Sequence, residues 1–252
     1  CEDLEDVEAV NYPWPDPEKY IDPELCRQLV DEAPKDKVVM GMLWACHFQD
    51  FCAAFGMQTC LMNMVAEPEM VHYVDDHIVA FYEKALKIFL EATKGKVHAV
   101  LIGDDMGSQR GLMISPALIK EFVIPGAKRL IDICHSYGVK VMYHSCGSIV
   151  DAIPLLIEAG VDIIHPIQAL AVGMDPANLK AKFEGQVCFC GGVDTQDLLP
   201  NGTPEQVAAK VKELRGYFPT GLILSPSHEA LQPDVPPANV RALFEEADKI
   251  YE

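Results

Sequence analysis

His144 and Cys146 stand two residues apart in Val139-Lys-Val-Met-Tyr-His-Ser-Cys-Gly-Ser148, an apolar run that passes into a polar tip. In an extended strand, residues i and i+2 share a face. An imidazole and a thiol therefore converge just past the strand end. Gly147 lets the backbone turn there without the steric penalty of a Cβ. Imidazole nitrogen and thiolate sulfur are both zinc ligands, so the pair has the chemistry of half a zinc site. The plain alternative is a hydrogen-bonded histidine beside an inert buried thiol.

Other polar groups follow apolar runs in the same way. Asp104 and Asp105 lie in Gly103-Asp-Asp-Met-Gly107, His165 precedes Pro166, Asp194 ends Gly191-Gly-Val-Asp, and His228 lies in Ser225-Pro-Ser-His-Glu229. Asp104 and Asp105 are candidates for a fourth ligand or for catalytic contact with substrate, although strand-end aspartates also cap helices and turns. Gln109 and Arg110 follow in the same loop, and the Arg110 guanidinium suits a substrate carboxylate. His165, Gln168 and Asp194 are candidate substrate contacts, and His228 is a candidate ligand or catalytic contact. Cys188 and Cys190 form a Cys-x-Cys inside an apolar strand, which reads as core packing. Trp44, at the end of another run, reads as packing too.

The elements that must position these residues follow a rhythm. Strands are expected at Lys37–Trp44, Val97–Ile102, Val139–Tyr143, Val161–Ile164, Gln186–Cys190 and Gly221–Leu224. Helices are expected at Asp22–Glu32, Cys46–Met64, Glu67–Lys94, Ser115 to Tyr137, Ile149–Ala159, Pro176–Phe183, Thr203 to Tyr217 and Pro237–Tyr251. Ser115-Pro116 and Thr203-Pro204 are N-cap and first-turn pairs. The long helix after Glu67 carries Val71, Val74, Ile78, Phe81, Ala85, Ile88 and Phe89 at helical spacing. Short, uniformly apolar strands separated by helices predict a parallel α/β sheet covered on both faces. In a (β/α)8 barrel the functional face is the C-terminal one, as it is in an open doubly wound sheet. A dinucleotide fingerprint and a P-loop are both missing from the sequence.

Two divisions are expected: residues 1–36, acidic and proline-rich around Tyr12-Pro-Trp-Pro-Asp-Pro17, as an extended arm, and residues 37–252 as the barrel domain. Six strand–helix units are two short of a barrel: either the sheet is open or the first two units lie upstream, and a chain beginning at Cys1 rather than a methionine favours the second.

Composition narrows the function. Half of the 252 residues are hydrophobic, 23% are charged and the net charge is −18, which excludes the basic footprint that nucleic acid requires and disfavours an anionic membrane surface. Nine cysteines, an odd number in a chain without a signal-peptide pattern, predict free thiols in a reducing cytoplasm. The apolar runs are too short and too interrupted to span a bilayer.

Taken together, Gly103-Asp-Asp105 followed by Ile114-Ser-Pro116, His144-Ser-Cys-Gly147, Gly191-Gly-Val-Asp194, and Ser225-Pro-Ser-His228 followed by Pro233-Asp-Val-Pro236 resemble the uroporphyrinogen decarboxylase superfamily. The likeness runs from about Tyr12 to Glu252 and includes the Tyr-Pro-Trp-Pro arm. It implies a (β/α)8 TIM barrel, here strands three to eight. The decarboxylase keeps its substrate-gripping arginine and its essential aspartate in the segment that would precede Cys1.

The His-x-Cys pair resembles the zinc-binding, cobalamin-dependent methyltransferases of that superfamily. Those complete the zinc site with a cysteine after the last strand, where this sequence has His228. The resemblance thus implies zinc held by His144, Cys146 and His228. It implies methyl transfer between a corrinoid such as methylcobalamin, on a corrinoid carrier protein, and a small thiol or folate acceptor, in a homodimer. Two alternatives stay open. One is metal-free porphyrinogen decarboxylation in tetrapyrrole biosynthesis, a lyase reaction for which cations are scarce at these strand tips. The other is a non-catalytic corrinoid- or tetrapyrrole-binding barrel.

Overall fold

The computed structural model describes residues 3–44 and 47–249. Among these residues six strands alternate with helices, and their order in the sheet is the order of the chain. The residues group into two compact units. No helix among the described residues is long and apolar enough to cross a membrane.

The first unit comprises Cys1–Asp105, Ile114–Tyr143 and Glu158–Val161. It holds helices α1 (Leu4–Val10) and α2 (Pro23–Glu32), strand β1 (Met40–Met42), helices α3 (His47–Phe55), α4 (Met57–Ala66) and α5 (Pro68–Ala92), and strand β2 (Ala99–Gly103). Helix α6 (Pro116–Leu118) runs through a π-helical turn at Ile119–Val123 into α7 (Ile124–Ser136), and β3 (Lys140–His144) follows. Strands β1 and β2 pair in parallel, Met40 opposite Ala99. Every residue of β2 is buried, but Met40 and Met42 of β1 are 47% and 70% exposed. The sequence suggested a longer, buried first strand. First in the sheet order, β1 has one neighbour, β2, and only Gly41 of its three residues is buried.

Three other expectations change for identifiable reasons. The single helix expected over Cys46–Met64 is broken at Gly56, whose φ of 79° ends α3 and starts α4; Cys46 itself lies outside the described residues. The helix expected after Ser115 widens to π geometry just before Pro125, which has no N–H to give to a regular turn. Ser115 does cap it, its Oγ accepting from the Leu118 amide. In α5 the buried face is Met70, Val71, Val74, Val79, Ala85, Leu86 and Leu90, rotated from the expected stripe. Ile78 and Phe81 instead line a cavity of about 570 Å³ with Val7, Val10, Tyr12 and Trp14 of the N-terminal segment. That segment is partly helical because Asp3 caps α1 through the Asp6 amide. Its Trp14 ring stacks on His77 at 4.4 Å.

The second unit comprises Met106–Met113, His144–Ile157 and Asp162–Glu252. After α8 (Ile153–Ala159) come β4 (Ile163–Ile167), α9 (Pro176–Phe183), β5 (Cys188–Val193), α10 (Leu198–Asn201), α11 (Pro204–Tyr217), β6 (Leu222–Pro226) and α12 (Pro237–Ala247). β4 pairs with β5 and β5 with β6, all parallel. Val193, Leu199, Val207, Val211, Leu214, Val235 and Leu243 form the core here. Thr203 and Gln206 close a full capping box at the start of α11. The expected end of the last helix, at Tyr251, lies outside the described residues. Cys190 is buried as expected, whereas Cys188, at the exposed first position of β5, is not core.

Candidate metal centre

The second unit gathers His144, Cys146, His165, Gln168, His228 and Glu229. β3 delivers His144 at its last position, 1% exposed. The turn that follows is held from three sides. The Ser145 amide donates to the His165 carbonyl at 2.8 Å, the Ser145 hydroxyl accepts from the Met106 amide at 3.0 Å, and the Gly147 amide donates to Oε1 of Gln168 at 2.7 Å. Gly147 has φ of +82°, and a Cβ there would meet the carbonyl carbon of Gly107 at 2.7 Å. Cys146 is thereby fixed at the tip, half-buried.

Around its sulfur stand nitrogen and oxygen donors. Nε2 of His144 lies 3.4 Å from Sγ of Cys146. Donor atoms of Cys146, His228 and Glu229 all lie within 4.8 Å of one another, and Nε2 of His228 is 3.5 Å from Oε1 of Glu229. Oε2 of Glu229 reaches to 3.9 Å from Nδ1 of His144. One thiol, imidazole nitrogens and one carboxylate are the donor types that zinc takes, so the residues suit the ion. Glu229 adds a donor that no motif announced; its signal in the sequence is adjacency to His228 at a strand tip.

His165 stands behind this group, buried, with its Nδ1 2.9 Å from Nδ1 of His144. Burial first, and then the neighbouring His144, pushes its pKa down to about 4. A neutral His165 leaves one proton for the bond between the two Nδ1 atoms, and the bond fixes the His144 ring.

Both oxygens of Asp194 are occupied by its own loop, accepting from the amides of Gln196, Asp197 and Leu198 at 3.1, 2.7 and 2.9 Å. Gln109 and Arg110 are exposed in the loop after Gly107. Gln168 spends its carbonyl on Gly147.

Asp104 and Asp105 belong to the first unit, where α3 grips them. The Gln49 amide donates to Oδ1 of Asp104 at 2.9 Å, and Oε1 of Gln49 accepts from the Asp105 amide at 3.0 Å. Asp104 is fully buried with Oδ2 3.5 Å from Nε2 of His47, while Nδ1 of His47 is 2.8 Å from Oδ1 of Asp75. Burial opposes charge on His47, but Asp104 and Asp75 outweigh it and lift its pKa to about 9. Burial pushes the Asp104 carboxyl up to about 7 against the pull of His47 and of the Gln49 and Phe48 amides. This buried cation between two carboxylates could not be read from sequence, because His47, Asp75 and Asp104 share no motif.

A family model described as uroporphyrinogen decarboxylase (URO-D) matches residues 2–250. The chain belongs to the uroporphyrinogen decarboxylase family. It is 27% identical over 151 residues to the methylated-thiol–coenzyme M methyltransferase of Methanosarcina mazei, a match covering 58% of this chain and 36% of that protein. The chain thus matches little more than a third of this curated relative's length. Its fold is similar to that of a methyltransferase from Methanosarcina mazei, with a TM-score of 0.71 and 15% identity over 90% of this chain and 63% of the other.

Proposed function

We propose that this protein is a methyltransferase that delivers a methyl group from a corrinoid to a small thiol, using a zinc ion held in the second unit. The observation that carries the reading is the convergence of Cys146, His228 and Glu229 donor atoms within 4.8 Å, with His144 Nε2 beside the sulfur. In this reading His144, Cys146 and His228 would hold the ion, with Glu229, 40% exposed at its side chain, as a further donor beside them. Zinc would supply there the lowering of an acceptor thiol's pKa that favours its thiolate.

The chain's own residues do the rest. His165 sets the His144 ring, so that Nε2 rather than Nδ1 faces the sulfur. Gln168 and Ser145 pin the turn, which holds the Cys146 sulfur still while the acceptor is positioned. The Glu229 carboxylate and the Cys146 thiolate would together balance the two charges of the ion, and Glu229 would be the donor that gives way to an acceptor thiol.

The name of the curated relative supports a thiol acceptor over folate. The test is loss of methylcobalamin absorbance in the presence of 2-mercaptoethanesulfonate or a simple alkane thiol, with the zinc-loaded protein. Turnover that stops in Cys146→Ala supports the reading. No turnover with either thiol, together with decarboxylation of a porphyrinogen, would move the protein to the other branch of its family.

A further inference from the structure

Outside the centre described above, two further thiols meet in the first unit. Cys52 on α3 and Cys60 on α4 have their sulfurs 3.1 Å apart, about 1 Å beyond an S–S bond length of about 2.05 Å. Both side chains are buried, 5% and 0% exposed. The helices that carry them are joined through Gly56, whose left-handed φ folds α4 back on α3. Neither thiol has a part in the proposed methyl transfer.

We propose that Cys52 and Cys60 are a reversible disulfide-forming pair that a hydroperoxide closes. The Cys52 sulfur attacks one peroxide oxygen, the O–O bond breaks, and the leaving oxygen departs as water, or as alcohol from an alkyl hydroperoxide. Cys52 is then a sulfenic acid. The Cys60 sulfur attacks it, the S–S bond forms, the S–O bond breaks and a second water leaves with the Cys60 proton. Two thiols and hydrogen peroxide thus give one disulfide and two waters, and a dithiol reductant reverses the bond.

The order of attack follows from the environment. The hydrogen bond from Cys60 pulls the Cys52 pKa down, against burial and the charge of Asp104. The same bond, with burial, pushes the Cys60 thiol up. Cys52 is the better nucleophile and Cys60 the resolving thiol. A bridge here would fasten α3 to α4 three residues beyond Gln49, which holds the Asp104–Asp105 tip.

The experiment treats the reduced full chain with hydrogen peroxide, alkylates it under denaturing conditions and maps the peptides by mass spectrometry. A Cys52–Cys60 linked peptide that disappears on reduction is expected. In Cys60→Ser the link is lost and a sulfenic acid at Cys52 is trapped by dimedone; in Cys52→Ser, Cys60 stays a free thiol. Circular dichroism checks that both variants fold, and the wild-type map stands without them. Recovery of Cys52 and Cys60 as free thiols, under conditions that oxidise Cys146 and Cys188, would overturn the proposal. So would oxidation of either residue without a link to the other.

Discussion

Nδ1 of His165 lies 2.9 Å from Nδ1 of His144, and this bond leaves Nε2 of His144 3.4 Å from the Cys146 sulfur. The pair joins the last residue of β3 to the middle residue of β4 through their side chains. In a metal site such a partner determines ring orientation as much as the ligand does.

His165→Ala is therefore expected to weaken zinc binding about 10- to 100-fold while leaving the fold intact. Competition with a chromophoric chelator measures it. An affinity equal to that of the wild type would remove His165 from the account.

Glu229 is an exposed member of the set, 40% exposed at its side chain, and the proposed function makes it the donor that gives way to an acceptor. Glu229→Gln is expected to keep the metal and to lower affinity by no more than about tenfold, or 1.4 kcal/mol. Titration with zinc in the same competition assay checks this. Complete loss of the metal in this variant would make Glu229 a permanent ligand and close the position assigned to the acceptor.

The His47 charge links stability to pH. The folded pKa values of His47 and Asp104, about 9 and about 7, both lie above the ordinary values of 6.5 and 3.8. The folded state thus binds more protons than the unfolded state between those limits, and stability falls as pH rises through 7 and then 9. Thermal melts at pH 6 and pH 9.5 should show a lower midpoint at the alkaline end. His47→Ala should cost about 3–5 kcal/mol by stranding two buried carboxylates; without the pull of His47 the Asp104 carboxyl titrates at higher pH, so the slope between 7 and 9 should change. A slope unchanged in the variant would contradict the assignment.

Gly147→Ala places a Cβ 2.7 Å from the Gly107 carbonyl carbon at φ of +82°. The left-handed conformation alone costs a side chain about 1–2 kcal/mol, and the clash adds to it. Chemical denaturation should show a loss of at least that size. A variant as stable as the wild type would mean the turn can relax without Gly147.

Much of this was legible in the sequence because it depends on local patterns. The alternation of apolar runs with helical periodicity announced the parallel α/β order, and Ser115 and Thr203 announced their helices by cap chemistry alone. His144 and Cys146 were readable because strand geometry fixes the direction of i and i+2. What was hidden depends on which partner a side chain finds. Both oxygens of Asp194 accept from amides two to four residues ahead. Asp104 meets His47 and α3, which lie far from it in the sequence. Glu229 was hidden beside a more obvious histidine. The break at Gly56 that brings Cys52 against Cys60 was masked by a continuous helical composition.

Methyl transfer as proposed requires the second unit to bind zinc through Cys146 and His228. Elemental analysis of the purified, chelator-free protein beside Cys146→Ala and His228→Ala decides this. About one zinc per chain is expected in the wild type, as for a single mononuclear site, and almost none in either variant. A folded wild-type protein without zinc, or variants that keep it in full, would remove zinc from the proposed chemistry.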